Sequence, residues 1–308
     1  MAYTAADVKN LREMTGVGMM DCKKALEASD GDIEKAVEYL REKGLATAQK
    51  KAGRVAAEGV SVTYVGDDGT AAIVEVNIET DFAAKNEEFV KFANAAAELV
   101  AKFNPKDVEE LMGIKYPGTD MTLEDMRKEK VMVIGENIQV RRFARYDTGL
   151  TVSYIHMGGK IGVLVNMDVS DNIKNAAEVT ELGKDLAMQV AAMRPLYRDK
   201  TDVPEEVIEK EREINFIAAK QDPKNEGKPD NIIEKMVSGR IAKYFNEVCL
   251  LQQEFVKGDK ISVEKHVAEV GKSLGGKISI ASFTRFETGE GIEKKADNFA
   301  EEVASMIK

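Results

Sequence analysis

Histidine and cysteine are scarce in this 308-residue chain, two of each, and no apolar run approaches the ~20 residues of a membrane-crossing helix. Each shortage removes a class of function. Cys22 and Cys249 have no Cys or His at metal-ligand spacing, which leaves two reduced thiols of a cytosolic protein as the expectation. His156 and His266 stand 110 positions apart, with no Cys, Asp or Glu spaced for a relay or a metal site. No metal, cofactor or catalytic residue is therefore expected. The N-terminus carries Asp7, Lys9, Arg12 and Glu13 where a secretory signal needs an uncharged apolar stretch, so a protein that is not exported is expected. A net charge of −10 argues against direct nucleic-acid binding, which rewards clustered Lys and Arg. It leaves room for a protein partner that itself binds nucleotide.

Apolar residues make up 44% of the chain and charged ones 32%, enough to fill a core and keep a surface wet. The length suits about two domains at ~150 residues each. The first 45 or so positions read as three short helices. Thr4 and Asp7 resemble a capping box ahead of Val8 and Leu11. Gly16 and Gly18 break the chain before Cys22, Ala25 and Leu26. After Asp30-Gly31-Asp32, the residues Ile33, Ala36, Val37 and Leu40 mark one helical face, with Gly44 as the expected stop and a linker over 45–56.

Beyond residue 57 the pattern changes to strands. Val60, Val62 and Tyr64 alternate before the turn Gly66-Asp67-Asp68-Gly69 and the apolar run Ala71 to Val76, a hairpin signal. A helix follows from about Asn86 with Phe89, Phe92, Ala93, Ala96 and Val100 on one face, and it ends before Pro105. A second helix near Thr122 leads to an alternating strand, Ile138 to Phe143. The order then recurs. Tyr154 lies 90 positions after Tyr64, and Pro195 lies 90 after Pro105, while Leu274 to Ile280 echoes Ile134 to Val140 at an offset of 140. The pattern is an internal duplication, each copy a small antiparallel sheet with helices. The change of offset places about 50 extra residues between Pro195 and Leu274. Val207, Glu211, Ile214, Ala218 and then Ile233, Val237, Ile241, Tyr244 make an antiparallel helical hairpin of them. Phe299, Val303 and Met306 mark a final helix.

Gly271 to Lys277 fits Gly-x-x-x-x-Gly-Lys, but a phosphate loop needs Ser or Thr next and must open a helix. Here Ile278 follows and begins a strand pattern, so this is not a nucleotide site. The segment Thr80-Asp81-Phe82-Ala83 joins a strand to a helix. Residue types alone allow Asp81 to be a cap and Phe82 a core side chain tucked under the loop. They also allow a ring and a carboxylate presented at a loop tip for contact.

Leu11 to Leu26, with Arg12, Met19 and Met20, resembles the N-terminal signature of the elongation factor Ts family, whose members exchange nucleotide on elongation factor Tu. Thr80-Asp81-Phe82 resembles that family's second signature, and Ile134-Gly135-Glu136-Asn137, Ser153-Tyr154-Ile155-His156 and Arg285-Phe286-Glu287 resemble further family segments. Ala83 and Ile78 depart from the family's usual Val and frequent Cys. The resemblance implies a non-enzymatic guanine-nucleotide exchange factor of the bacterial cytoplasm. It would bind elongation factor Tu in its GDP-bound and nucleotide-free forms, with no membrane partner. Thr80, Asp81, Phe82 and Ala83 would disturb the partner's Mg²⁺ site. Arg12, Met19, Met20, Ile134, Gly135 and His156 would make further contacts. The fold it implies is α+β: a three-helix ubiquitin-associated-like module over 1–52, core halves over 53–147 and over 148–195 with 248–288, a coiled-coil hairpin over 196–247 that forms a homodimer, and a C-terminal helical module over 289–308. Two rival classes are a ubiquitin-binding helical adaptor, from residues 4–44, and an α+β enzyme.

Overall fold

Caps decide where the first helices begin. In the computed structural model, which describes residues 3–258 and 260–293, α1 (Ala5–Thr15) opens on a capping box. Thr4 Oγ1 accepts from the Asp7 amide, and the Asp7 carboxylate accepts from the Thr4 amide. α2 (Met19–Ala28) and α3 (Ile33–Lys51) follow and bury Leu11, Cys22, Leu26 and Leu40 between them. The expected stop at Gly44 does not occur, since α3 continues to Lys51. Gly44 instead faces α6 (Leu123–Ile134), where an added Cβ would lie 3.5 Å from Met132 Sδ and 3.9 Å from the Lys128 carbonyl. Close packing of the two helices outweighs the ~1 kcal/mol that glycine costs inside a helix.

The fold is α+β, with two three-stranded antiparallel sheets ordered β1-β2-β3 and β4-β5-β6. The first joins β1 (Glu58–Val65), β2 (Ala71–Ile78) and β3 (Ile138–Tyr146); the second joins β4 (Leu150–His156), β5 (Ile161–Val169) and β6 (Ile278–Glu287). Between β2 and β3 come α4 (Glu87–Phe103), α5 (Val108–Gly113) and α6; between β5 and β6 come α7 (Ala177–Met193), α8 (Glu205–Gln221), α9 (Asp230–Val248) and α10 (Val263–Ser273). α7 starts 90 positions after α4, and α10 starts 140 after α6. α4 and α7 both end in a left-handed residue directly before proline, Asn104 (φ 48°) and Arg194 (φ 51°). A following proline disfavours the helical region at the residue before it, which fixes both ends.

One offset is not 90. Val62 pairs with Val74 and Val152 pairs with Val165, so β4 is displaced by 90 but β5 by 91. The extra residue sits in the second hairpin turn. It keeps Val163, Val165 and Met167 facing α7, as Ala72, Val74 and Val76 face α4. Without it every side chain of β5 would change faces.

The other faces of the two sheets meet. Ala71 and Ile73 of β2 pack on Leu164 and Phe286, and a Cβ at Gly162 would come within 3.0 Å of both Ile73 and Ser61. The layers run α4, sheet, sheet, α7, which explains why β2 is buried along its whole length. The central charge in the seam is paired, although Asn77 Oδ1 beside it has no partner among the described residues. Glu75, fully buried, accepts from Arg142 Nε (2.6 Å), Arg141 Nη1 (3.0 Å), Asn77 Nδ2 (3.1 Å) and the Gly289 amide (2.8 Å). Such full pairing is what makes a buried carboxylate tolerable.

α8 and α9 pack side by side in opposite directions, with Lys220 paired to Asp230 and Arg240 Nη1 donating to the Asn215 carbonyl. Their base is closed where the Leu196 amide donates to the Val248 carbonyl and the Leu250 amide to the Tyr197 carbonyl. The helix expected from Phe299, Val303 and Met306 lies outside the described residues. Among those described, no helix is long and apolar enough to cross a membrane.

Candidate partner-binding site

The segment from Ile78 to Glu87 is anchored at both ends and bare in the middle. β2 ends at Ile78, in the core. Asn86 caps α4 through Oδ1, which accepts from the Glu88 and Phe89 amides. Ala83 (6% exposed) and Ala84 turn inward and join the core under α4. Phe82 points the other way and is 86% exposed, the most exposed large apolar side chain among the described residues. Asp81 beside it is 68% exposed, and its one ion pair among the described residues is with the exposed Lys85 at 3.4 Å. Asp81 is therefore not a helix cap and Phe82 is not a core residue. Within the expected quartet, Phe82 and Asp81 face outward, Thr80 is engaged by a neighbouring turn, and Ala83 anchors the base.

That neighbouring turn follows α6. Gly135 closes the helix with φ +84°, a backbone that favours glycine. Glu136 then takes two hydrogen bonds from Thr80, one from the amide (2.9 Å) and one from Oγ1 (2.7 Å). Glu79 returns the relation by accepting from the Asn137 amide at 2.6 Å. Asn137, buried, donates from Nδ2 to the Arg54 carbonyl (2.9 Å) and the Ala52 carbonyl (3.4 Å), and Lys51 Nζ donates to the Gly135 carbonyl. Glu79 and Glu136 were not singled out in the sequence; their only local sign is position, one just past a strand and one just past a helix-ending glycine.

Ile134 is half-buried against the core, and Gly135 lies at the turn that meets Thr80. Arg12, Met19 and Met20 are exposed at the end of α1 and the start of α2. Met132 and Val133 of α6 pack on the core of the first three helices, so one helix touches both that cluster and the turn beside Phe82. His156 ends β4 on the other sheet, its Nδ1 2.9 Å from the Tyr154 hydroxyl, with Ile155 and Met157 exposed beside it. No hydrogen bond joins it to the tip among the described residues.

Among the described residues no three His, Cys, Asp or Glu side chains gather to hold a metal ion. A groove of ≈ 660 Å³ runs between α3 and α6, lined in part by Met14, Leu40, Met121 and Met132, and contains no residue of 79–86. The Gly271–Lys277 stretch runs from the end of α10 through a turn to the strand that begins at Ile278, and Gly276 packs on Ile173, within 2.7 Å of where a Cβ would stand. A phosphate cradle requires the reverse order. What remains is a tip on an anchored base, with the Phe82 ring and the Asp81 carboxylate both exposed.

The family model described as Elongation factor TS matches residues 79–290. The chain is 54% identical over 306 residues to the elongation factor Ts of Clostridium perfringens (strain SM101 / Type A), covering 98% of each chain. It is 52% identical over 308 residues to that of Clostridium acetobutylicum, covering 99% of this chain and 98% of the relative. To that of Clostridioides difficile (strain 630) it is 51% identical over 307 residues, covering 99% of each.

Proposed function

The chain belongs to the elongation factor Ts family, and on that premise we propose that it is a guanine-nucleotide exchange factor for elongation factor Tu. It binds the GDP-bound partner, disturbs the Mg²⁺ and phosphate site with the Asp81–Phe82 tip, and releases GDP so that GTP enters. The observation that carries this reading is the 86% exposure of Phe82 on an otherwise anchored loop. An exposed phenyl ring gains roughly 1.5–3 kcal/mol when a partner buries it.

A GTPase holds its nucleotide through phosphate-facing amides and a Mg²⁺ that bridges phosphate oxygens. Phe82 enters between the elements that shape that site, and Asp81 arrives with a charge that competes for the metal's surroundings. Loss of the metal exposes the repulsion among phosphates, and GDP leaves. Linkage requires that incoming nucleotide weaken the factor's hold by the same ratio, so the cycle makes and breaks no covalent bond on this chain.

Arg12, Met19 and Met20 lie on the partner's nucleotide domain, Ile134 and Gly135 contact it beside the tip, and His156 touches another partner domain. The three-helix module over 1–52 is ubiquitin-associated-like, residues 289–308 form a C-terminal docking module, and the hairpin over 196–247 is a dimerisation element. The setting is the bacterial cytoplasm. Stopped-flow release of labelled GDP from elongation factor Tu tests the reading with Phe82→Ala and Asp81→Ala. Slow release supports it, and wild-type rates in both variants overturn it.

A further inference from the structure

Thr80, Asp81 and Phe82 form a short segment with an unusual boundary condition. Its downstream end is held by Ala83 and Ala84 in the core and by the Asn86 cap. Its upstream side is anchored only as far as Ile78, the last residue of β2, in the core; Glu79, Thr80 and Asp81, which follow, are all polar. Within the loop, Thr80 Oγ1 accepts from the Ala83 amide and the Thr80 carbonyl from the Ala84 amide. The side chain that ties Thr80 to a different turn is Glu136, whose two oxygens take the Thr80 amide at 2.9 Å and the Thr80 hydroxyl at 2.7 Å. A carboxylate that receives both donors of one residue fixes position and orientation together.

The restraint is reciprocal. Glu79 accepts the Asn137 amide at 2.6 Å, so each of the two turns supplies a carboxylate to the backbone of the other. The 135–137 turn is in turn tied to the end of α3. Lys51 donates to the Gly135 carbonyl, Asn137 Nδ2 donates to the Ala52 and Arg54 carbonyls, and Arg54 Nη1 lies 3.5 Å from Glu79. A continuous chain of polar contacts runs from the first three helices, through this turn, to the residue next to Asp81.

We propose that Glu136, with Glu79, is a positioning residue for exchange: it sets where Asp81 and Phe82 stand relative to α3 and the three-helix module. This rests on the exchange reading above and adds to it a residue that makes its contribution through Thr80, not through the partner. The module brings the partner to a fixed place, and the clamp decides whether the tip then meets its target. Removing the clamp lets the tip swing without altering the docking surfaces. The rate of release from the complex should fall while the concentration needed for half-maximal effect stays nearly constant.

The test uses the full chain with elongation factor Tu carrying a fluorescent GDP, and reads maximal release rate and half-saturating concentration separately. Glu136→Ala is expected to lower the maximal rate about tenfold, with half-saturation moved less than about twofold, as loss of two charge-assisted hydrogen bonds at a preorganised element predicts. Glu136→Gln keeps an amide oxygen for the Thr80 amide and an NH₂ for the Thr80 hydroxyl, and should restore most of the rate. In the double variant, Thr80→Val with Glu136→Ala should lose less than the two single losses combined, because both remove the bond between the Thr80 hydroxyl and Glu136. Thermal melting of each variant separates mispositioning from unfolding, with Glu136→Ala expected to melt cooperatively close to wild type. A maximal rate unchanged in Glu136→Ala, a glutamine variant as slow as the alanine one, or additive losses in the double variant each overturn the clamp. Phe82→Ala runs alongside. A slow Phe82→Ala with a normal Glu136→Ala defeats the clamp alone, whereas a normal Phe82→Ala defeats the exchange reading on which it stands.

Discussion

Glu88, in the first turn of α4, accepts a hydrogen bond from Lys130 of α6 at 2.8 Å and so joins the two helices that flank the exposed tip. Lys91 adds a second bond at 3.0 Å. The hydrogen bond from Lys130, then that from Lys91, holds the carboxyl down at about 2, well under its ordinary 4.5.

A depressed carboxyl stabilises the fold above its ordinary value and loses that contribution as pH falls toward the folded value. The window for Glu88 runs from about 4.5 down to about 2. Its side chain is 45% exposed, so solvent screens the pair and the contribution stays below ~1 kcal/mol. Urea unfolding of Glu88→Gln should show a deficit against wild type near neutral pH that closes through this acid window. A deficit of the same size at every pH would show that the charge is irrelevant.

Phe82→Ala and Asp81→Ala should leave folding stability within ~0.5 kcal/mol of wild type, since both side chains stand in solvent. Any slowing of GDP release in them is then a loss of contact and not of structure. Denaturant midpoints measured beside the release rates make that separation.

Both thiols should be silent in the native protein. Burial pushes Cys249 up to about 11, with Asp199 and Asp202 adding to the effect, and burial likewise raises Cys22. The thiolate is the reactive form, so iodoacetamide at mildly alkaline pH should label neither until denaturant is added, and then both. Mass spectrometry counts the adducts; native labelling at Cys249 would contradict its burial.

Gly183→Ala pits two effects against each other. Alanine is the better helix former by ~1 kcal/mol. A Cβ at this place in α7 would, however, stand 2.5 Å from Cγ2 of Val152 and 2.9 Å from Met167 Cε. Valine in a strand has little freedom to retreat, and overpacking of this kind costs about 1–3 kcal/mol. The variant should melt below wild type. A higher melting temperature would mean that α7 shifts off the sheet at little cost.

Replacing residues 204–247 with a short Gly-Ser link should spare the core, because the hairpin's base is already closed by the Leu196 and Leu250 amides on the Val248 and Tyr197 carbonyls. The proposed dimerisation role further requires the mass in light scattering to fall from dimer to monomer. An unaltered mass would remove that role from the hairpin.

Local chemistry was legible in the sequence; long-range consequence was not. The Thr4/Asp7 capping box and the α4 and α7 faces follow from neighbours within a few positions, and the duplicated order from the repetition of such local patterns. Gly44 misled because a partner on α6, far away in sequence, decides whether a glycine ends a helix or lets two helices meet. The 91-residue displacement of β5 was hidden because Tyr64 and Tyr154 both precede the altered turn. α10 went unread although Ser262 caps it and Val263, Val267 and Val270 share one face. Phe82 was the hardest case, since residue type alone favoured a core position over a tip; Ala83 and Ala84 fill the space beneath the loop instead and leave the ring outside. Glu79 and Glu136 find their meaning across 58 and 56 positions of chain respectively, beyond any local pattern.

Glu75 receives its last donor from an amide 214 positions downstream. During synthesis its guanidinium partners at 141 and 142 emerge early, which neutralises the charge and lets the first sheet form. The Gly289 amide follows only 147 positions after Arg142, and Gly289 enters beside the Ala57 carbonyl, where a Cβ would lie 2.0 Å away. A chain halted before that point therefore holds a first sheet whose buried carboxylate has both guanidinium partners yet lacks its last amide donor, which the turn after β6 supplies.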